Sequence, residues 1–340
     1  MSAKNQTHEE QSRITSSSSP TSKSWQLWLG VILTAAALIW LLFKTDWRVA
    51  IQALADANYL LIFTAVFLNL LTIPLRAGRW WLAFPRKNPP AIGRLTAAML
   101  IGQTVNIIFP MRLGDLLRAA LVNGYTVIFV LGTQSVQFAL DLLMMGGMGM
   151  ILLFKFSVPT WWRDSGETLL LTTVATLSVI IFVILFRDWF IGRLQYAATR
   201  WPRWQRAFTL GIPFLRSMDS IAQPDRLAAS IGSSVLLWIL YNAVNYLLLI
   251  AIGVEPTWSM TMLLLVVLLA GASIPSTPGR FGVYHYIAVQ FLLLFNIDGA
   301  TAVSFAILQH FIVVILPTFI GVLLAWRLNV SLSAPPKIKL

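Results

Sequence analysis

The sequence predicts an all-α, polytopic helical membrane protein, and three observations carry that prediction. Hydrophobic residues make up 57% of the 340-residue chain, and charged residues only 11%, where a soluble domain averages roughly a quarter charged. Mean hydropathy is +0.75. Apolar runs of spanning character recur along the chain. A soluble globular domain and a disordered chain are both excluded. Cys is absent, which removes disulfides, thiolate metal sites and cysteine nucleophiles. The three histidines, His8, His285 and His310, are too scattered for a metal site, and no cofactor is expected. The net charge of +12 reads as the positive-inside bias of cytoplasmic loops, because the basic residues sit in short segments beside apolar spans. Nucleic acid is not an expected partner.

Residues 1–24 are polar and Ser-rich, with Ser16 to Ser19 followed by Pro20, and predict a disordered cytoplasmic tail. The run 25–43 lacks a small-residue cleavage site and is expected to be a retained first helix. Further apolar segments cover 58–83, 95–110, 112–131, 133–154, 168–186, 227–252, 258–274, 281–296 and 301–326. About six of the segments approach the length of a full crossing, about 20 residues. The pairs 95–110 with 112–131, and 258–274 with 281–296, are mostly short and broken by Pro and Gly at the join.

Arg76, Arg79, Arg86, Lys87 and Arg94 lie at the junction of the second and third segments. Arg-rich 187–226 and the tail 328–340, with Lys337 and Lys339, are also basic. These regions are expected in the cytoplasm, and the loops near 44–57, 155–167 and 253–257 outside. Both termini then face the cytoplasm, in the plasma (inner) membrane. The stretch 187–226 mixes Trp189, Trp201, Trp204 and Phe208 with its arginines, the composition either of a helix in the headgroup layer or of a plain basic loop.

Taken as halves 25–154 and 168–327, the chain makes two odd sets of crossings with opposite sense. The first half is broken at Phe109-Pro110-Met111-Arg112-Leu113-Gly114-Asp115. The second is broken at Ile274-Pro275-Ser276-Thr277-Pro278-Gly279-Arg280-Phe281-Gly282. Matching broken segments in inverted halves point to a membrane transport site. Each pair then reads as a re-entrant hairpin, giving about six full spans, two hairpins and an inverted repeat. Ten crossings with kinked helices satisfy the same arithmetic.

Arg112, Asp115 and Arg118 follow the first break at i, i+3, i+6, on neighbouring turns of one helix side. Charge at bilayer depth costs roughly 2.5–3.5 kcal/mol or more, so such residues usually line a cavity. Asp115 can pair with either arginine and leave the other guanidinium free for a phosphate; snorkelling at the interface is the alternative. Arg280 supplies a cation at the second break. Gly279 and Gly282 either open backbone amides to a ligand or serve close helix packing. Gln134, Gln137 and Asp141 form a polar stripe. Asp141 is a candidate proton carrier, or else the static partner of an arginine, and His285 is a second candidate for proton coupling. Asn69, Thr72 and Arg76 make a similar stripe, whereas Arg79, Trp80 and Trp81 read as an interfacial anchor. Asn242, Asn245, Gln309 and His310 are expected to make interhelical hydrogen bonds, and Met144, Met145, Met148 and Met150 to pack.

Asn106-x-x-x-Pro110-x-Arg112-x-Gly114-Asp115-x-x-Arg118 resembles the signature of the lysylphosphatidylglycerol synthase transmembrane-region family, the flippase-like UPF0104 membrane proteins. That family usually carries Glu at the acid. Arg76-x-x-Arg79-Trp80 is similar to its upstream element, and Pro275-x-x-Pro278-Gly279-x-x-Gly282-Val283 to its second motif. Arg280 replaces a Gly of the family pattern and His285 a Glu. The resemblance covers roughly residues 25–327. It implies a flippase-like domain that handles lipids; from the residues themselves, Arg112, Asp115, Arg118, Arg280, Asn106, Gly279 and Gly282 are expected around the headgroup. Bifunctional members carry a soluble aminoacyl-transferase domain after the membrane part, which this chain, ending at Leu340, is expected to lack. The expectation is a non-enzymatic protein that flips an anionic or amphipathic lipid between leaflets. Its expected partners are membrane lipids (anionic phospholipid, glycolipid or polyprenyl-linked lipid), with biosynthetic enzymes as further candidates. The alternatives are a membrane-embedded accessory and a polyprenyl-linked glycosyltransferase-type enzyme. Against the latter, the outer-loop acids Asp46, Asp56, Asp164, Glu167 and Glu255 include no Asp-x-Asp pair.

Overall fold

The computed structural model describes residues 21–109, 112–155, 185–271 and 278–330, with parts of 168–183. Pro110 and Met111 of the first break, and Ile274 to Thr277 of the second, lie outside the described residues. So do residues 1–20, the loop with Asp164 and Glu167, and the tail with Lys337 and Lys339. The expected segment 168–186 is described only in part.

The regular structure is helical throughout the described residues. In chain order it comprises α1 (Thr21–Lys44), α2 (Trp47–Ala55), α3 (Tyr59–Trp81), α4 (Ile92–Ile108), α5 (Leu113–Ala120), α6 (Val127–Lys155) and α7 (Arg187–Arg200). There follow α8 (Gln205–Arg216), α9 (Pro224–Ala251), α10 (Trp258–Gly271), α11 (Val283–Leu293), α12 (Gly299–His310) and α13 (Leu316–Arg327). A single π-helical turn, Phe311–Ile315, joins α12 to α13. Among the described residues, four helical stretches are long and apolar enough to cross a membrane: Tyr59–Trp81, Val127–Leu152, Pro224–Ala251 and Gly299–Arg327. The protein is therefore an all-α polytopic membrane protein.

The packing is reversed relative to a soluble bundle. On α3, Leu60, Phe63, Phe67 and Leu71 share one exposed face, while Asn69, Thr72 and Arg79 are buried on the other. Apolar side chains facing outward cost nothing in hydrocarbon, and polar ones must turn inward to find partners. The inward face of α3 packs along α9, which buries Ser230, Ser234, Asn242 and Asn245 there.

Both Pro/Gly-broken pairs fold as helical hairpins. The expected segment 112–131 does not continue as one helix: α5 has eight residues, a rise of about 12 Å. It stops before an Asn123-Gly124 turn with Gly124 at φ 86°, and α6 begins three residues later. An Asn-Gly pair takes the left-handed backbone a turn needs, which is why the apolar run is interrupted. In α4–α5 the helices nearly touch. A Cβ on Gly102 would lie 2.7 Å from the Gly114 carbonyl oxygen, and one on Gly114 would collide with the Gly102 carbonyl. The second hairpin pairs α10 with α11, and α4 packs against the turn Pro278–Arg280 that precedes α11.

The stretch 44–57, expected as a loop, contains the helix α2. Asp46 caps α2 by accepting from the Arg48 N–H at 3.0 Å and the Val49 N–H at 3.3 Å. Ser304 ties α2 to α12 by donating to the Ala50 carbonyl at 2.9 Å. The stretch 187–226 opens with two helices, α7 and α8, packed against each other.

Candidate functional site

A cavity of about 390 Å³ lies where both hairpins meet the long helices. Its wall includes Asn69, Thr72 and Arg76 from α3, Gln103 and Asn106 from α4, and Asp115 and Arg118 from α5. Asp141, Tyr241 and Asn245, Arg280 and Tyr284, and Gln309 complete its polar side. The distribution of charge is uneven. Arg79 meets Asp141 through two bonds, Nη1 to Oδ1 at 2.7 Å and Nη2 to Oδ2 at 3.1 Å, and Nη1 also donates to Ser234 Oγ at 3.0 Å. The Arg79 side chain is 5% exposed and that of Asp141 47%. Asp141 is thus largely spoken for, and its charge is cancelled by an arginine behind the wall.

Asp115 is held differently from expectation. Among the described residues it forms no ion pair with Arg112 or Arg118. Asn106 instead donates from Nδ2 to Asp115 Oδ1 at 2.9 Å, while Asn106 Oδ1 accepts the Gly114 N–H at 2.8 Å. One amide side chain on α4 therefore staples the first turn of α5, and Asp115 Oδ1 is oriented by a neutral group. Gln134 on α6 donates to the Asp115 backbone carbonyl at 3.3 Å.

Among the described residues, the arginines on the wall form no ion pair with a carboxylate. The Arg118 guanidinium lies over the face of Trp80, 4.0 Å from the ring centroid, and its Nε is buried with no hydrogen-bond partner. Arg76 donates to the neutral Gln103 side chain at 3.2 Å. Arg280 sits on the wall within electrostatic reach of Tyr284 and Arg112. A small chamber with these cations around it favours an anion, because replacing lost hydration requires negative charge or acceptor oxygens.

The reading of Arg79, Trp80 and Trp81 as an interfacial anchor is corrected by burial. Trp80 is 0% and Arg79 4% exposed. Trp80 Nε1 donates to Thr133 Oγ1 at 2.9 Å, so the ring is fixed as a platform for Arg118. Arg beside Trp at a helix end has the same composition as an interfacial anchor, so the sequence alone does not separate the two.

The other candidates fall outside the wall. Arg112 is exposed at the start of α5. Gly279 is buried, and its carbonyl meets His310 Nε2 at 2.8 Å. A Cβ on Gly282 would lie 2.9 Å from the Thr34 carbonyl of α1. His285 packs beside His310, with ring centroids 4.7 Å apart. The two breaks share one backbone feature: Arg112 at φ 53° and Arg280 at φ 57° both occupy the left-handed region. That conformation costs a non-glycine residue about 1–2 kcal/mol.

Asn245 and Gln309 meet as the interhelical hydrogen bonding expected of them requires, the Asn69, Thr72 and Arg76 stripe lines the wall, and Tyr284 is a wall residue that the sequence did not single out. Tyr284 donates to Gln309 Oε1, and Gln309 Nε2 approaches Asn245 Oδ1 at 3.4 Å. Asn69 donates to the Ile312 carbonyl at 2.8 Å, in the π turn just before Pro317, which has no N–H to donate. The helix break thus draws the Asn69 side chain toward α12–α13.

The family model for the lysylphosphatidylglycerol synthase TM region matches residues 27–321. The chain belongs to this family. Lysylphosphatidylglycerol synthase TM regions are flippase-like membrane proteins with a lipid-handling role. The chain is also 32% identical over 158 residues to "Glycosyltransferase AglD" of Haloferax volcanii, a match covering 44% of this chain and 24% of that protein. The chain therefore spans about a quarter of the length of this curated relative. No solved structure matches.

Proposed function

We propose that the protein carries the headgroup of an anionic or amphipathic lipid between leaflets through the cavity between the two hairpins. The observation that supports this reading best is Arg118, a half-buried side chain that forms no ion pair among the described residues and is held over Trp80 on the wall of a polar chamber. A volume of about 390 Å³ suits a headgroup and leaves the acyl chains in the bilayer. Arg76, Arg118 and Arg280 bind the phosphate, and Arg112 receives it at the exposed start of α5. Asp115, set by Asn106, orients the headgroup. Asp141, paired with Arg79, and His285, packed beside His310, are the candidate groups for proton coupling.

In this reading α4–α5 and α10–α11 are re-entrant, residues 25–327 form the transmembrane unit, and both termini face the cytoplasm of the plasma membrane. The eight-residue length of α5 supports re-entry, since a crossing needs about 20 residues.

Purified protein in liposomes is expected to equilibrate a fluorescent phosphatidylglycerol between leaflets. Arg118→Ala and Arg280→Ala should each slow it at least about tenfold, the loss of a charge-assisted hydrogen bond. Wild-type speed in the Arg118→Ala protein overturns the reading. The likeness to a protein named as a glycosyltransferase favours a second reading, an accessory or enzyme acting on polyprenyl-linked sugars. Sugar transfer by the purified chain, without lipid movement, would decide for it.

A further inference from the structure

The α7–α8 hairpin takes no part in the cavity, yet it concentrates charge and aromatic surface. On α7, Trp189, Arg193, Tyr196 and Arg200 follow at intervals of four, three and four residues and are all exposed. They form one stripe in which aromatic rings and guanidiniums alternate. Arg193 lies over the Trp189 ring at 5.1 Å, so the pair is organised before anything binds. Trp201, Arg203, Trp204 and Arg206 extend the exposed surface through the turn into α8. The opposite side of α7 meets α8, where a Cβ on Gly211 would lie 2.9 Å from Leu194.

A cleft at the edge of this hairpin is formed by Arg86, Lys87, Phe129, Arg216, Asp219 and Ser220. Two of its charges are already matched: Arg86 pairs with Asp225, and Asp219 with Arg187 at 3.1 Å. Lys87 and Arg216 form no ion pair among the described residues. Exposed indole and phenol rings belong at the level of lipid headgroups, where one end is apolar and the other wet. Guanidiniums between them match the phosphates of the same layer.

We propose that α7 and α8 seat on the anionic phospholipid headgroups of the surrounding bilayer, with Lys87 and Arg216 holding one lipid phosphate in the cleft. This surface is distinct from the translocation cavity. It rests on the membrane placement in the proposed function but not on lipid movement.

The test compares the full chain in nanodiscs of phosphatidylcholine alone with discs containing a third phosphatidylglycerol, following amide hydrogen exchange over residues 187–216. Exchange there is expected to slow at least about fivefold in the anionic discs, about the effect of one basic residue at a charged surface. The difference should shrink in high salt. R193Q/R200Q/R203Q/R206Q should abolish most of it, and K87Q/R216Q should reduce retention of co-purifying phosphatidylglycerol. Arg118→Ala should leave the exchange difference over residues 187–216 intact, so failure of lipid movement and failure of this surface are separable. Equal exchange of the wild type in both discs overturns the proposal and turns the surface over to a protein partner. Equal slowing by inorganic phosphate in zwitterionic discs overturns it in favour of a free anion.

Discussion

The Arg118 guanidinium rests 4.0 Å from the centroid of the Trp80 ring, and Trp80 is itself fixed by Thr133. Arg118 is half-buried and forms no ion pair among the described residues, and a partly desolvated cation of this kind is a burden on folding that a ligand can relieve. Arg118→Gln is therefore expected to leave the melting temperature unchanged or higher while lipid movement falls at least about tenfold. Thermal unfolding and a scrambling assay on the same preparation check both halves.

Arg79 has the opposite dependence on its partner. Asp141→Asn leaves a guanidinium that is 5% exposed without its counter-charge. Breaking a fully buried pair costs about 3–5 kcal/mol, and the half-exposed carboxylate reduces this to about 1–3 kcal/mol. The double change Asp141→Asn with Arg79→Met should recover most of the loss in chemical denaturation.

Gly114 allows the closest approach in the first hairpin. Gly114→Ala puts a methyl group into the Gly102 carbonyl and within 2.6 Å of Asn106 Oδ1. The hydrogen bonds from Asn106 to Asp115 and from Gly114 to Asn106 must then break. Destabilisation of about 1–3 kcal/mol is expected, together with faster amide exchange over 113–120.

Asp298 gives a pH dependence with a defined sign. Burial raises its pKa, but hydrogen bonds from Thr301 and the Ala300 N–H outweigh this and hold it below the ordinary 3.8. A carboxylate depressed in the folded state stabilises fully above its unfolded value, and this is lost as pH falls through the folded one. The cap on α12 should therefore contribute above about pH 4 and fade below it. Asp298→Ala should cost about 1 kcal/mol at neutral pH and remove that part of the acid dependence, as read from melting temperatures between pH 3 and 6.

The apolar runs foretold most long helices because hydrocarbon solvation acts on composition alone. The hairpin breaks were legible because Pro and Gly mark backbone departures by themselves. The partnership of Asp115 was not legible. Arg112 and Arg118 are near in sequence, but Asn106 is near in space, across a turn whose geometry the Gly102–Gly114 contact sets. The Arg79–Asp141 pair joins α3 to α6, and no spacing rule links residues 62 positions apart. His285, five residues after Arg280 along the chain, packs instead beside His310.

By itself the sequence determined that this chain belongs in a bilayer, that its charges are few, and that two places interrupt its helices. Those outcomes follow from transfer energies and local backbone sterics, which each short segment carries within it. The tertiary structure alone decided which arginines are neutralised and which remain open, because that depends on which carboxylate or amide another helix brings within about 3 Å.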